Sequence, residues 1–291
     1  MSTEVDDIEQ AVEERRVWLA SQLADAAPRL GLGPVGEVVN TYDMRSAGSI
    51  ARDGDRDVWL RVVVEDEDYQ PACRWDGNIE ANAIHGIPKP HVLRWLDWQN
   101  TDGYLAGRRL RGEVMTLAPG TTVAPGGVLH DDPRLPETWW RDLGAALDTL
   151  AAFPINRDDE LGAVRYTING ARQHFDVALE AEAFTDLTWA TAHADLHWGN
   201  LRGPDLCVLD WESWRPAPAG YDVATLYCNS LPHPPTAHRV RAMPVLNTRD
   251  GQFALLSAIC RYLNTAGEGS DLDYLEDQLR AEADTVLVNL R

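Results

Sequence analysis

The chain has 291 residues, 44% of them hydrophobic, and a formal charge of −20, which is enough apolar material for one large globular domain or two smaller ones. That charge repels phosphate backbones and no basic stripe offsets it, so nucleic-acid binding is not expected; a cationic small molecule would be attracted, although an acidic surface is more often a solubility trait. No run approaches the ~18 apolar residues of a membrane span, and the acidic start Met1-Ser-Thr-Glu-Val-Asp-Asp7 lacks a signal peptide's basic region, so a cytoplasmic location is expected.

In chain order, Ile8, Val12, Leu19 and Leu23 among charged residues predict a surface helix over 8–27, ended by Pro28 to Gly36. Short β-rich runs then predict an antiparallel meander: Glu37–Tyr42, a turn at Met44–Ser49, a second turn at Arg52–Asp55, and a strand at Val58–Val64. A short helix is predicted over Asp76–His85, stopped by Pro88-Lys-Pro90, with strands at Val92–Leu96 and Gly103–Ala106. Ala118–Pro136, rich in Pro and Gly, reads as a long surface loop. Helical periodicity follows near Glu137–Phe153, Ile168–Phe184, Tyr221–Asn229, Gly251–Thr265 and Leu272–Leu290. The expected division is a small β-rich lobe over residues 1–107 and a larger helical lobe over 108–291. The four cysteines, Cys73, Cys207, Cys228 and Cys260, have no CxxC spacing and read as reduced thiols.

The chemistry concentrates in His193-Ala-Asp195-Leu-His197-Trp-Gly-Asn200, with Asp210 at the end of the apolar run Leu206–Leu209. Thr188–Ala192 leads in as an extended segment and Gly203-Pro-Asp205 turns the chain between the two loops, so Asp195, Asn200 and Asp210 should converge. Hard oxygen ligands can hold Mg²⁺ on phosphates, and a carboxylate can orient an attacking hydroxyl. A His193-x-Asp195-x-His197 zinc site would want a third or fourth ligand that the surroundings do not supply. A metallophosphoesterase would need Asn-His motifs downstream, and Asn229, Asn247 and Asn264 are not followed by histidine. Trp198, Trp211 and Trp214 fit stacking on a substrate as well as they fit packing.

His193-x-Asp195-x-x-x-x-Asn200 with the strand-terminal Asp210 resembles the catalytic and metal loops of the protein-kinase-like fold. With Leu209-Asp-Trp-Glu212 and Ala219-Gly-Tyr-Asp-Val-Ala224, the chain is similar to the aminoglycoside phosphotransferase and choline kinase family over roughly Glu37 to Asp222. The resemblance implies an α+β fold, a small antiparallel-sheet lobe followed by a mainly helical one. It implies transfer of the γ-phosphate of ATP or GTP, with Mg²⁺, to a hydroxyl of a small molecule, aminoglycosides and other antibiotics among them. Asp195 would be the catalytic base, braced by His193, while Asn200 and Asp210 would ligate Mg²⁺ and Asp222 would tie down the catalytic loop. In the first lobe, Arg61 and Glu80 would form the phosphate-binding ion pair, with arginine standing where the family more often has lysine. Ser46, Gly48 and Ser49 would lie in the phosphate-covering turn, which lacks a full GxGxxG, and Tyr104–Arg109 would form the adenine-reading hinge. Ala194 replaces the family's usual glycine. Asp142, Asp148, Asp271, Asp273 and Glu276 could hold acceptor amines, though carboxylates on helices more often make a solvated face. Alternatives are a pseudokinase that binds nucleotide without turnover, and a kinase of peptide Ser or Thr in natural-product maturation.

Overall fold

The computed structural model describes residues 2–41, 44–65, 74–101, 103–154, 160–265 and 275–290. It divides into two compact units, Met1–Ala83 with Lys89–Ala118, and Ile84–Pro88 with Pro119–Arg291.

The first unit contains helix α1 (Ser2–Arg29), strands β1 (Val39–Asn40), β2 (Ser46–Asp53) and β3 (Arg56–Val64), the single helical turn α2 (Gly77–Glu80), and strands β4 (Val92–Gln99) and β5 (Arg109–Thr116). The strands make one antiparallel sheet in the order β1-β2-β3-β5-β4. Side chains alternate across a strand, so Val58, Leu60, Val62 and Val64 of β3 share one face. They pack with Leu110 and Val114 of β5 against Leu23, Ala26, Ala27 and Leu30, a stripe at helical spacing. Each such buried aliphatic chain stabilises the unit by about 1.5–3 kcal/mol. The helix lies so close that a Cβ on Gly112 of β5 would come within 2.9 Å of Leu30 Cδ1. Alternation gives the other face of β3 and β5 to Trp59, Arg61, Arg111 and Glu113. Between β4 and β5, Arg111 grips Asp97 with two hydrogen bonds of 2.6 and 2.9 Å, and Arg109 adds a third at 2.5 Å.

Several expectations are corrected here. Arg45–Ser49 is not a turn: Ser46, Gly48 and Ser49 lie in β2, where Ser46 and Ser49 are buried. Ahead of β2, Thr41 Oγ1 accepts from Ser46 N. Gly48 serves packing, since a Cβ there would fall 2.2 Å from the Trp59 ring. Gly103–Ala106 is not a strand. It is the turn between β4 and β5, held by Asn100 Nδ2 donating to Tyr104 O at 2.6 Å, so Tyr104–Arg109 is a hairpin connection and not a hinge. Because β5 pairs with both β3 and β4, the first unit runs to Ala118 and not to residue 107.

The second unit contains β6 (Thr121–Thr122), α3 (Glu137–Ala151), α4 (Glu160–Phe175), β7 (Trp189–Ala192), β8 (Leu201–Gly203), β9 (Cys207–Val208), β10 (Arg215–Pro218), α5 (Tyr221–Cys228), α6 (Pro234–Arg241), α7 (Arg249–Thr265) and α8 (Glu276–Leu290). Helix α7 is buried continuously from Gly251 to Cys260, with α4, α5 and α8 packed on it. Phe253 of α7 meets Phe184 at 4.6 Å, in a cluster with Val164, Leu187 and Trp189. Two small sheets frame the loops of interest: β7 pairs with β10, and β8 lies between β6 and β9. The predicted helix over Ile168–Phe184 is displaced to Glu160–Phe175, and α6 was not foreseen, because Pro234-Pro235 reads as a break but is tolerated in a first helical turn. The Ala118–Pro136 loop is anchored: Val128 and Leu129 are buried, and Leu129 N donates to Asn229 O. Cys207, Cys228 and Cys260 are buried and in no disulfide, and burial pushes the Cys260 thiol up to about 12; Cys73 lies outside the described residues. Among the described residues no helix is long and apolar enough to cross a membrane.

Candidate functional site

Strand β7 ends at Ala192, and the chain turns at once through Ala194, whose φ of 63° is left-handed. A non-glycine residue in that region is strained and must be held. The holder is Asp222, in the first turn of α5: its two carboxylate oxygens accept the backbone N–H groups of His193 and Ala194, each at 2.8 Å. Burial pushes the Asp222 carboxyl up, against the pull of His193 and of those two N–H groups. Asp222 thus ties down the loop. His193 is completely buried; its Nε2 lies 2.8 Å from Leu209 O and its ring meets Trp211 edge-on at 4.9 Å. It braces one loop against the other and does not face solvent.

Asp195 is presented from this braced turn. Its Oδ1 accepts from Arg261 Nη2 of α7 at 2.8 Å, and the same guanidinium donates through Nη1 to Ala194 O at 2.7 Å. Its backbone oxygen accepts from Asn200 Nδ2 at 2.9 Å and from His197 N at 3.1 Å. Burial pulls the Asp195 carboxyl upward, but Arg261, with His197 and His193, outweighs it, and the net direction is below the usual carboxylate range. His197 is held below the usual imidazole value, mainly by burial, despite Asp195 and Asp210. Its Nδ1 accepts from Gly199 N at 3.1 Å, and its Nε2 lies 3.3 Å from Asn200 Nδ2 and 3.7 Å from Asp195 Oδ2.

Asn200 directs Nδ2 to Asp195. Its backbone oxygen accepts from Leu209 N at 2.8 Å, which brings the end of β9 beside it. The next residue, Asp210, is exposed and also left-handed, with φ 58°. Two hard oxygen donors, one amide and one carboxylate, fit Mg²⁺, which takes few protein ligands and completes its shell with water and phosphate. Among the described residues no cluster of three or more His, Cys, Asp or Glu forms a cage. With His193 turned onto Leu209 O, the zinc alternative has no support. Trp198, Trp211 and Trp214 are buried: Trp198 stacks on Trp139 at 6.0 Å and donates through Nε1 to Ser230 Oγ at 3.0 Å. They are packing residues. Asp142 pairs with Arg141, and Glu276 with Arg280; Asp271 and Asp273 lie outside the described residues.

In the first unit, the expected ion pair of Arg61 with Glu80 is corrected. Glu80 pairs with Arg74, while Arg61 Nη1 lies 3.5 Å from Glu113 Oε2, directly across from it in the β3–β5 register. Arg61 Nε donates to Ser46 Oγ at 3.2 Å, and Asn78 of α2 donates to Glu113 Oε2 at 3.1 Å. Glu113 and Arg261 were missed from sequence. Arg261 was findable in principle, as the charge that interrupts the buried face of α7 after Phe253–Cys260.

A sheet unit with a half-buried cation on β3, and a helical unit carrying Asp195, Asn200 and the strand-end Asp210, define a protein-kinase-like phosphotransferase. The model of a phosphotransferase enzyme family, APH, matches residues 53–247, and the chain belongs to that family, a small-molecule kinase acting on an alcohol group. Solved structures share the fold. The GDP complex of wild-type aminoglycoside 2'-phosphotransferase-IIIa matches with TM-score 0.55 at 13% identity, over 94% of this chain and 98% of that one. Amicoumacin kinase hAmiN, in complex with AMP-PNP, Ca²⁺ and Ami, matches with TM-score 0.54 at 12% identity, over 99% and 96%. Macrolide 2'-phosphotransferase MphH from Brachybacterium faecium gives 0.52 at 15% identity, over 90% and 98%. No curated protein matches the chain by sequence.

Proposed function

We propose that this enzyme transfers the γ-phosphate of ATP or GTP, with Mg²⁺, to a hydroxyl of a small hydroxylated molecule of the antibiotic class that its structural neighbours act on. The observation that carries the reading is the Asp195 carboxylate, fixed on one oxygen by Arg261, with Asn200 and Asp210 beside it. Asp195 Oδ2 receives the acceptor hydroxyl and orients its lone pair toward phosphorus; held below the usual carboxylate range, it is ionised at neutral pH and takes the proton late, which suits a loose phosphoryl-transfer transition state. His193 and Asp222 keep that oxygen in place. Asn200 Oδ1 and Asp210 would hold Mg²⁺, which supplies charge neutralisation on the transferring phosphate when bound. Arg61 is the phosphate-binding cation of the first unit, with Ser46 fixing its Nε.

The test is turnover of Mg-ATP and Mg-GTP with a panel of aminoglycosides, macrolides and other hydroxylated antibiotics, followed by phosphate-specific NMR of the product. Asp195→Asn should lower kcat by about 10³-fold or more, on the order expected when a positioned base and its charge are both lost. Nucleotide binding with no transfer to any acceptor, and an unchanged rate in Asp195→Asn, would overturn the proposal.

A further inference from the structure

Arg61 is held by the sheet. In the antiparallel register it lies directly opposite Glu113 on β5, and the two side chains are only 11% and 2% exposed. A carboxylate that deep requires a cation and a hydrogen-bond donor. It has both: Arg61 Nη1 at 3.5 Å and Asn78 Nδ2 at 3.1 Å. Asn78, itself 5% exposed, is the one side chain by which α2 reaches this group in the hydrogen bonds described, while the carboxylate of α2, Glu80, pairs with Arg74. Ser46 Oγ takes Arg61 Nε from the opposite neighbour, β2.

We infer that Glu113, anchored by Asn78, is the residue that positions Arg61 for the nucleotide phosphates, replacing a helix glutamate in that role; the inference rests on the reading of Arg61 as the phosphate-binding cation. The physical difference is in what fixes the partner. A helix carboxylate reaches the strand only when the helix is docked, whereas cross-strand neighbours about 5 Å apart are locked by the ladder itself. A guanidinium is also planar, so holding Nε at Ser46 and setting Nη1 beside Glu113 fixes the plane in which it would meet phosphate oxygens. Glu113 is therefore a positioning residue, acting through Arg61, and α2 contributes a neutral amide in place of a charge.

The experiment measures binding of Mg-ATP and of adenosine, by calorimetry, to the parent and to Arg61→Met, Glu113→Gln, Asn78→Ala and Glu80→Gln. Adenosine carries no phosphate, so a residue that acts on the phosphates weakens ATP and spares adenosine. Arg61→Met and Glu113→Gln should each weaken ATP by about tenfold or more, or about 1.4 kcal/mol, with adenosine within about twofold. Glu113→Asp should recover part of the loss. If Glu113→Gln binds ATP like the parent while Arg61→Met does not, the inference fails and the reading of Arg61 stands; if Arg61→Met also binds ATP normally, both fail. Equal loss of ATP and adenosine in Glu113→Gln, or a selective loss of ATP in Glu80→Gln as large as in Glu113→Gln, also overturns it. Should Glu113→Gln not fold, Asn78→Ala keeps both charges and decides the question: a selective loss of ATP of about threefold supports the inference, and parent-like affinity overturns it.

Discussion

Arg261 holds Asp195 by two atoms of one guanidinium, Nη2 on the carboxylate Oδ1 at 2.8 Å and Nη1 on the preceding carbonyl, Ala194 O, at 2.7 Å. The second bond matters as much as the first. It fixes the backbone of the strained residue next to the carboxylate, so that side chain and main chain cannot rotate independently. Replacing Arg261 by Gln should lower kcat by about 10–100-fold, the scale for a charge-assisted hydrogen bond at a reacting group. The nucleotide KM should stay within about twofold of the parent. Arg261→Lys, which can reach one of the two oxygens but not fork, should recover only part of kcat. Steady-state kinetics with both substrates varied would check this, and an equal rise in nucleotide KM would refute the assignment.

Ala194 is left-handed, with φ 63°, where an L-residue is strained by about 1–2 kcal/mol relative to glycine. Ala194→Gly should therefore be neutral or stabilising in urea denaturation, by up to about 1 kcal/mol. Ala194→Val should destabilise, because a β-branched residue tolerates this region least.

Asp97 gives the first unit an acid limit. Burial raises its carboxyl, but the hydrogen bonds from Arg111 and Arg109 dominate and bring it from 3.8 to about 2. Its pKa is depressed by folding, so its contribution is fully present above the unfolded value and is lost as pH falls through the folded one. Thermal midpoints should thus fall between pH 3.8 and about 2, and Asp97→Asn should be less stable at neutral pH with a flatter profile across that window. A parent-like profile in Asp97→Asn would count against the network.

Trp198→Ala separates packing from recognition. With Trp198 stacked on Trp139 and bonded to Ser230, its loss should destabilise by about 3–5 kcal/mol. Substrate KM at a temperature where the variant is folded should not move. A selective rise in acceptor KM would restore the stacking alternative.

The parts legible in sequence were those whose signal is local. Asp195, Asn200 and Asp210 are fixed by spacing along two short loops, and α3, α5 and α7 by apolar periodicity within each helix. What could not be read depends on partners far apart in the chain. Glu113 meets Arg61 through a register set by five strands, and no spacing between positions 61 and 113 announces it. Arg261 comes to Asp195 from 66 residues further on. The turn placed at Arg45–Ser49 failed for a different reason: Gly48 and its serines look like turn chemistry, and the glycine is in fact there to admit the Trp59 ring.

Arginine on β3 also changes what can be done to this protein from outside. A guanidinium is no amine nucleophile, so Arg61 gives an amine-reactive nucleotide analogue nothing to acylate. The only lysine in all 291 residues is Lys89, which is 7% exposed. Reagents that mark kinases through a lysine amine should therefore pass over this enzyme, and a guanidine-directed dicarbonyl is the label of choice.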